Sequence, residues 1–439
     1  MGTMNITPTP VRHGRRRWLI IALGVLGVLG LALILFAHTP KGSVLLNVAE
    51  YRLRVVWWSL IGGPEYDPAR TGGLSGVICA TDDEPLADAI ALVASVRGQV
   101  YQARSDGRGR YRIDGVPPGR YVPLAAAWGY QEASGGPIQV ATGRLTRDVN
   151  FVLAPYRPSP VAPTHLRIGA PEEAASDFPT PLVASRFPFT FDVDGLTVDG
   201  GHLYLPPDAS GPLPTLFIVY PSAPLNWDAT SVALTRDGFA VLAVGPDADR
   251  GLDIEGHVRN LRAAFQLWQE GRIRPGGSVA SLADRERWVM TSGSFSSLVM
   301  FRALRDLQSV PALVNVGGVS DAFLAVNSLY REDLAIPPPY DTAIAALGRP
   351  DQDPAFFFAY SPVFFADRLP PTLIVHTYAD EVIPYNQATA LDAAMAAAGV
   401  PHDLLLYEDT THYLDAYNPT QATHTVYECV VAFAKEHTR

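Results

Sequence analysis

Hydrophobic and polar positions change their rhythm several times along the chain. The run WLIIALGVLGVLGLALILFA, residues 18–37, carries no charge. At about 20 residues it is long enough to cross a bilayer as a helix. Beyond it, Leu45, Ala49, Leu53, Val56 and Leu60 recur at helical spacing, with Arg52 and Arg54 between them. The arginines argue against a second span. Trp57 and Trp58 suit a membrane interface, while the alternative is a helix packed on the next domain; the pattern leaves both open. Residues 74–154 then turn to short alternating stretches, punctuated by Asp106-Gly107, Asp114-Gly115 and Pro118-Gly119. Short strands with turns at this spacing predict an all-β sandwich. Residues 154–181, rich in Pro and Ala with little periodicity, read as a partly extended linker.

From Phe187 onward, continuous apolar runs alternate with helical patterns. TLFIVYPS, GFAVLAVGP, RWVMTSG, PALVNVGGV, PPTLIVHTY and HDLLLYED read as strands. VRNLRAAFQLWQEG, with Leu261, Ala264, Phe265 and Trp268 on one face, reads as an amphipathic helix, as do LVMFRALRDL, NQATALDAAMAAAGV and TQATHTVYECVVAFAKEH. Strands buried on both faces and alternating with helices predict an α/β domain, a mostly parallel sheet flanked by helices. The expected organisation is therefore a basic tail (1–17), a transmembrane helix (18–37), a juxtamembrane helical segment (38–72), a β-sandwich (73–155), a linker (156–186) and an α/β domain (187–439).

Composition narrows the function. The chain has 439 residues, is 48% hydrophobic and carries a net charge of -10. It has the apolar content for sizeable cores and no electrostatic footprint for nucleic acid. Cys79 and Cys429 fall in different predicted domains, so neither a disulfide nor a cysteine metal site is expected. Basic charge clusters only in RHGRRR, just before the apolar run, with Lys41 after it. That asymmetry places the N-terminus in the cytoplasm and the bulk of the chain, with the α/β domain, outside the plasma membrane on a single-pass anchor. A cleaved signal peptide fits less well, because its core is shorter and ends at a small-x-small site.

The candidate chemistry lies at strand ends. Ser294 sits in SGSFS (292–296), between a predicted strand and a predicted helix. A nucleophile elbow has this placement, although the usual G-x-S-x-G glycines are here Ser292 and Ser296. A helix-capping polar turn would look similar. A serine hydroxyl needs a base and an orienting acid, which follow it in the order Ser, Asp or Glu, His. Asp380 stands just past one buried strand and His412 just past the next. Glu381 is the rival acid, and His402, His424 and His437 are the less well placed bases. An oxyanion hole would take the Phe295 N–H and, because Pro221 has none, that of Ser222 or Ala223. Tyr220 is either a hydroxyl donor or a wall aromatic. The acidic stretches 82–84 and 245–257 read as solvated loops and not as metal sites. Residues 327–362 read as a lid or pocket wall, in which Tyr330, Phe356, Phe357 and Phe358 line an apolar surface or belong to the core.

Two resemblances sharpen this. SGVICATDDEPLADAIALV and SDGRGRYRIDGVPPGRYVPLAA resemble the carboxypeptidase regulatory-like (transthyretin-like) domain. That implies a seven-stranded sandwich without catalysis of its own, a spacer between membrane and enzyme. PTLIVHTYADEVIP resembles the P-x-L-I-x-H-G-x-x-D-x-x-V-P segment of prolyl oligopeptidase and dienelactone hydrolase-like α/β-hydrolases. YSPVFFADRLPPTLIVH resembles their Ser-Pro segment. The resemblance implies an α/β-hydrolase fold, with Ser294 as nucleophile, Asp380 as acid and His412 as base. Thr377 stands where the family has glycine. Together with the apolar run at 18–37, the resemblance implies a membrane-anchored serine hydrolase acting on a small-molecule ester or peptide, with ester favoured and no cofactor. A catalytically inactive cell-surface scaffold is the alternative.

Overall fold

The computed structural model describes residues 25, 28, 31–32, 35–63, 66–177, 181–275, 282–307, 309–331, 334, 336–408, 411–412 and 425–439. The basic tail and most of the expected transmembrane run fall outside them. Among the described residues, no helix is long and apolar enough to cross a membrane. The chain divides into two units, one of residues 1–63 with 345–348 and one of all the rest. The first is built on helix α1 (Pro40–Ile61), which Thr39 starts by accepting the Gly42 N–H and Gly62 ends at a φ of 82°. An N-cap oxygen and a glycine stop are what an isolated helix needs at its termini.

The second unit begins with the sandwich. Strand β1 (Gly72–Ala80) pairs with β4 (Arg110–Val116), β9 (Leu145–Thr146) and β10 (Phe151–Leu153). Facing that sheet, β2 (Ile90–Ala94) pairs with β3 (Val100–Arg104) and β6 (Leu124–Ala126), and β6 with β7 (Ala133–Ser134); β5 (Gly119–Tyr121) and β8 (Ile138–Val140) form a short ribbon. Alternation does the sorting. In β4, Tyr111 and Ile113 turn inward while Arg110 and Arg112 stay exposed, and the inward set joins Leu74, Ile78, Val93 and Phe151 in one core.

The remaining strands form a single ten-stranded sheet. Its order is β11 (Thr164–Ile168), β13 (Leu182–Val193), β14 (Leu196–Leu205), β16 (Ala240–Val244), β15 (Leu213–Val219), β17 (Ala283–Gly293), β18 (Leu313–Val316), β19 (Thr372–Thr377) and β20 (His402–Tyr407), with β12 (Glu172–Ser176) on β13. Pairing is antiparallel as far as β16 and parallel from β16 to β20. The linker expected over 156–186 is therefore corrected, since β11 and β12 lie within it. Both are edge elements held by main-chain bonds to β13, and most of their side chains are exposed. Such strands need little apolar alternation and leave almost none in the sequence.

Helix α2 (Asp228–Arg236) follows β15, and α3 (Ile254–Gln269) follows β16. The α3 residues Leu261, Ala264, Phe265 and Trp268 are buried together, as their spacing predicts. Phe265 and Trp268 pack on Phe217 and Trp288 of the central strands, with ring centroids 5.2–5.8 Å apart. Helix α4 (Ser296–Leu304) follows β17 and lies beside α3.

The sandwich packs against this domain. Arg305, just past α4, bonds Glu132 and the Tyr130 carbonyl and sits 3.8 Å from the Tyr156 ring centroid. The Tyr156 hydroxyl donates to Asp306 (2.6 Å), which Arg262 of α3 also holds at 3.0 Å. Elsewhere Asn327 donates to the Arg97 carbonyl at 2.9 Å. Gly98 approaches so closely that a Cβ there would lie 2.1 Å from the Phe323 carbonyl oxygen.

Candidate active site

Strand β17 delivers Ser294 to the carboxyl edge of the parallel strands, where ligands bind in this sheet class. Ser294 has a φ of 53°, a left-handed conformation uncommon outside glycine. Its N–H still reaches the Val316 carbonyl at 3.1 Å, so the turn stays tied to β18. The glycine this turn needs is Gly293, where a Cβ would lie 2.6 Å from that same oxygen. The serines in the usual glycine positions are buried and bonded. Ser292 Oγ lies 3.2 Å from Ser297 Oγ, which donates to Asn315 Oδ1 at 2.6 Å. Ser296 Oγ accepts the Gly293 N–H (3.2 Å) and faces the carbonyls of Gly293 and Val219. Their hydroxyls thus cross-link the ends of β15, β17 and β18, which satisfies the polar groups they bury. Gly293→Ala is expected to destabilise the domain by about 2 kcal/mol, because the clash is with backbone and not a side chain that can turn away. Denaturant unfolding beside the wild type measures this.

Ser294 Oγ lies 2.9 Å from His412 Nε2, and His412 Nδ1 lies 2.8 Å from Asp380 Oδ2. The geometry assigns the Nδ1–H to the carboxylate and leaves Nε2 to accept from the hydroxyl. Asp380 is 7% exposed. Its Oδ1 accepts the N–H groups of Val382 (2.9 Å) and Ile383 (2.7 Å), and its Oδ2 also meets His376 Nε2 at 3.2 Å. Burial alone would raise this carboxyl. The bonds from His376, His412 and the Ile383 N–H outweigh that and hold it at about 2, so the carboxylate is ionised at neutral pH. Glu381, the rival acid, instead accepts the His412 main-chain N–H at 3.1 Å.

The structure separates His402 and His437 from this line. His402 bonds the Val400 carbonyl and Asp392, and His437 stacks on Phe433. His424 lies outside the described residues. Three residues beside the line have no role in the sequence reading, although His376 stands at the histidine of the P-x-L-I-x-H segment. His376 touches the acid directly. Gly317, at a φ of 58°, would place a Cβ 3.7 Å from Asp380 Oδ2, and a Cβ on Gly318 would lie 2.0 Å from Ser297 Oγ. The paired glycines directly after a buried strand were the available signal, since they mark close backbone approach.

Phe295 caps the N-terminus of α4, so its N–H precedes the helix's own bonding. Ser222 Oγ accepts from Asn226 Nδ2 (3.2 Å) and Trp227 Nε1 (2.9 Å), and the Ala223 carbonyl accepts the Asn226 N–H. Their side chain and carbonyl thus shape the turn after β15 and leave the main-chain N–H groups as the candidate donors. Tyr220 is corrected as a hydroxyl donor. It is 5% exposed, its hydroxyl pairs with Ser231 Oγ at 2.9 Å, and its ring stacks on Trp227 at 5.1 Å. It is a wall aromatic. A small cavity beside the elbow is lined by Val219, Tyr220, His257, Phe295, Ser296 and Val299, with the Phe295 ring edge-on to His257.

The acidic loop 245–257 has its own partners. Asp253 caps α3, Asp247 accepts the Asp249 N–H, and Glu255 accepts from Arg302 (3.0 Å) and the Tyr360 hydroxyl (2.7 Å). In the expected lid, Phe357 packs on Phe323 and Phe358 on Phe364, both buried. They are core. Phe356 and Tyr330 are half-buried.

Residues 282–439 match the model of the prolyl oligopeptidase family, and residues 73–154 match the carboxypeptidase regulatory-like domain. No curated protein matches the chain. Among solved structures, a truncated carbohydrate esterase from gut microbiota is 18% identical, with 54% of this chain and 90% of that one covered and a TM-score of 0.41. The Pyrococcus horikoshii acylaminoacyl peptidase is 14% identical at a TM-score of 0.47, with 80% and 62% covered. Carboxyl esterase 2 from Tuber melanosporum is 15% identical at 0.43, with 62% and 88% covered. At these identities and scores they bear on neither substrate nor activity. The family match gives the broad class, that of serine hydrolases. The chain joins an α/β-hydrolase-like domain, which matches the prolyl oligopeptidase family over residues 282–439, to a β-sandwich that matches the carboxypeptidase regulatory-like domain over residues 73–154.

Proposed function

We propose that the chain is a membrane-anchored serine hydrolase that cleaves a carboxylic ester through an acyl-enzyme. The observation carrying this reading is the hydrogen-bonded line from Ser294 Oγ through His412 to Asp380 Oδ2. Ser294 attacks the carbonyl as His412 Nε2 takes its proton. The imidazolium so formed is stabilised by the ionised Asp380 and returns the proton to the leaving alkoxide. Water, deprotonated by the same imidazole, then releases the acid and frees Ser294. The oxyanion is held by the N–H of Phe295 with that of Ser222 or Ala223.

Ester is favoured over peptide because the domain ahead of the hydrolase is a β-sandwich and not the propeller that, in the prolyl oligopeptidase resemblance, would restrict access to peptides. The membrane anchor is the apolar run 18–37, with the catalytic domain extracytoplasmic. The arginines before that run support the orientation. The stripe on α1, where Leu45, Leu53, Val56 and Leu60 are all exposed beside Trp57, supports contact with the membrane surface.

The test is labelling of the detergent-solubilised full chain with a fluorophosphonate probe, followed by turnover of 4-nitrophenyl esters. Labelling with turnover supports the reading. A folded wild type that does not label removes it and favours a scaffold.

A further inference from the structure

We propose that His376 is a positioning residue for this reaction, latching the turn at 380–383 so that one oxygen of Asp380 stays aimed at His412. The inference rests on the roles given above to Ser294, His412 and Asp380.

His376 is the penultimate residue of β19, a strand buried along its whole length, and it is itself wholly buried. An imidazole there must find partners or cost stability. Its Nε2 lies 2.7 Å from the Ile383 carbonyl oxygen and 3.2 Å from Asp380 Oδ2. Its Nδ1 is buried with no partner among the described residues. Both contacts are acceptors on the Nε2 side, so the proton resides there, bonded to the Ile383 carbonyl with Asp380 Oδ2 3.2 Å away. A second proton on Nδ1 would leave a buried N–H unsatisfied, so the ring is a neutral donor.

Neutrality matters to the chemistry. An arginine or lysine at this place would compete with the His412 imidazolium for the Asp380 charge. A neutral N–H fixes the carboxylate and leaves its charge to the base. The arrangement also divides the acid's oxygens. Oδ1 is pinned by the N–H groups of Val382 and Ile383, and Oδ2 is shared by the two imidazoles. Because His376 also holds the Ile383 carbonyl, it ties the acid to the far end of its own turn. Packing alone would not choose histidine here. Its immediate neighbours in β19 are Val375 and Thr377, and an apolar side chain would carry no unpaired nitrogen.

The experiment compares wild type, Ser294→Ala, His376→Leu and His376→Gln by fluorophosphonate labelling rate and 4-nitrophenyl acetate kinetics, with thermal unfolding as the folding control. His376→Leu is expected to lower kcat and the labelling rate about 10- to 100-fold with KM within about threefold, the signature of a misaimed base and not of lost binding. His376→Gln, whose amide N–H reaches the Nε2 position, is expected to recover to within about fivefold of wild type. A folded His376→Leu with wild-type kcat overturns the proposal, as does a Gln variant no better than Leu. If Leu does not fold, His376→Asn replaces it, its amide being too short to reach Oδ2. Asn matching Gln overturns the proposal, and Asn well below Gln supports it. A folded wild type that never labels sinks the Ser294 assignment and this one with it. Labelling that is indifferent to residue 376 sinks only this one.

Discussion

Ser294→Ala is expected to abolish fluorophosphonate labelling and lower kcat for an ester by about a million-fold, leaving only what the oxyanion donors and binding supply. The size follows from the way the line of residues acts as a unit. Without the hydroxyl, the 2.9 Å contact to His412 Nε2 has no proton to pass, and the ordered imidazole and carboxylate behind it have nothing to activate. The fold should be indifferent. Alanine keeps the Cβ of serine at the same φ of 53°, and the hydroxyls that cross-link the strand ends belong to Ser292, Ser296 and Ser297. Unfolding within about 1 kcal/mol of wild type is the expected control. Labelling that survives in Ser294→Ala would place the nucleophile on another serine.

Much of this was legible in the chain, for reasons that can be traced. Strands buried on both faces are unbroken apolar runs, so β15 to β19 stand out, and residues just past such runs gather at one sheet edge. That is why Ser294, Asp380 and His412 could be chosen although 86 residues separate the first two (380 less 294). What stayed hidden depended on partners distant in sequence. Strands β11 and β12 owe their existence to main-chain bonds with β13, which no periodicity reports. The serines at 292 and 296 depart from the motif because the close backbone approach falls on Gly293 instead. Tyr220 could be a donor or a wall until Ser231 and Trp227 were seen around it. Histidine in a buried strand has no visible meaning until its turn closes over it. The Arg305–Glu132 pair joins residues 173 apart, so the packing of the sandwich on α4 had no local trace.

Asp380→Asn is expected to leave the domain folded and to lower kcat about 10,000-fold at neutral pH. An asparagine can still accept the Val382 and Ile383 N–H groups through its carbonyl. Its NH2 then faces both imidazoles. His412 must turn an acceptor toward it, which moves the ring proton to Nε2, where the serine needs a base. The same substitution reports on acid stability. The wild-type carboxyl titrates at about 2 when folded and near 3.9 when unfolded. Its ionised form therefore stabilises the fold by about 3 kcal/mol at pH above the unfolded pKa, and that contribution is lost as pH falls from about 4 through about 2. Asp380→Asn removes the titration. Its unfolding free energy should fall less steeply than that of wild type across this window. Parallel curves would mean that the carboxylate gains nothing from its four N–H contacts, and a variant with wild-type kcat would mean that His412 takes its orientation from Glu381 through the main chain.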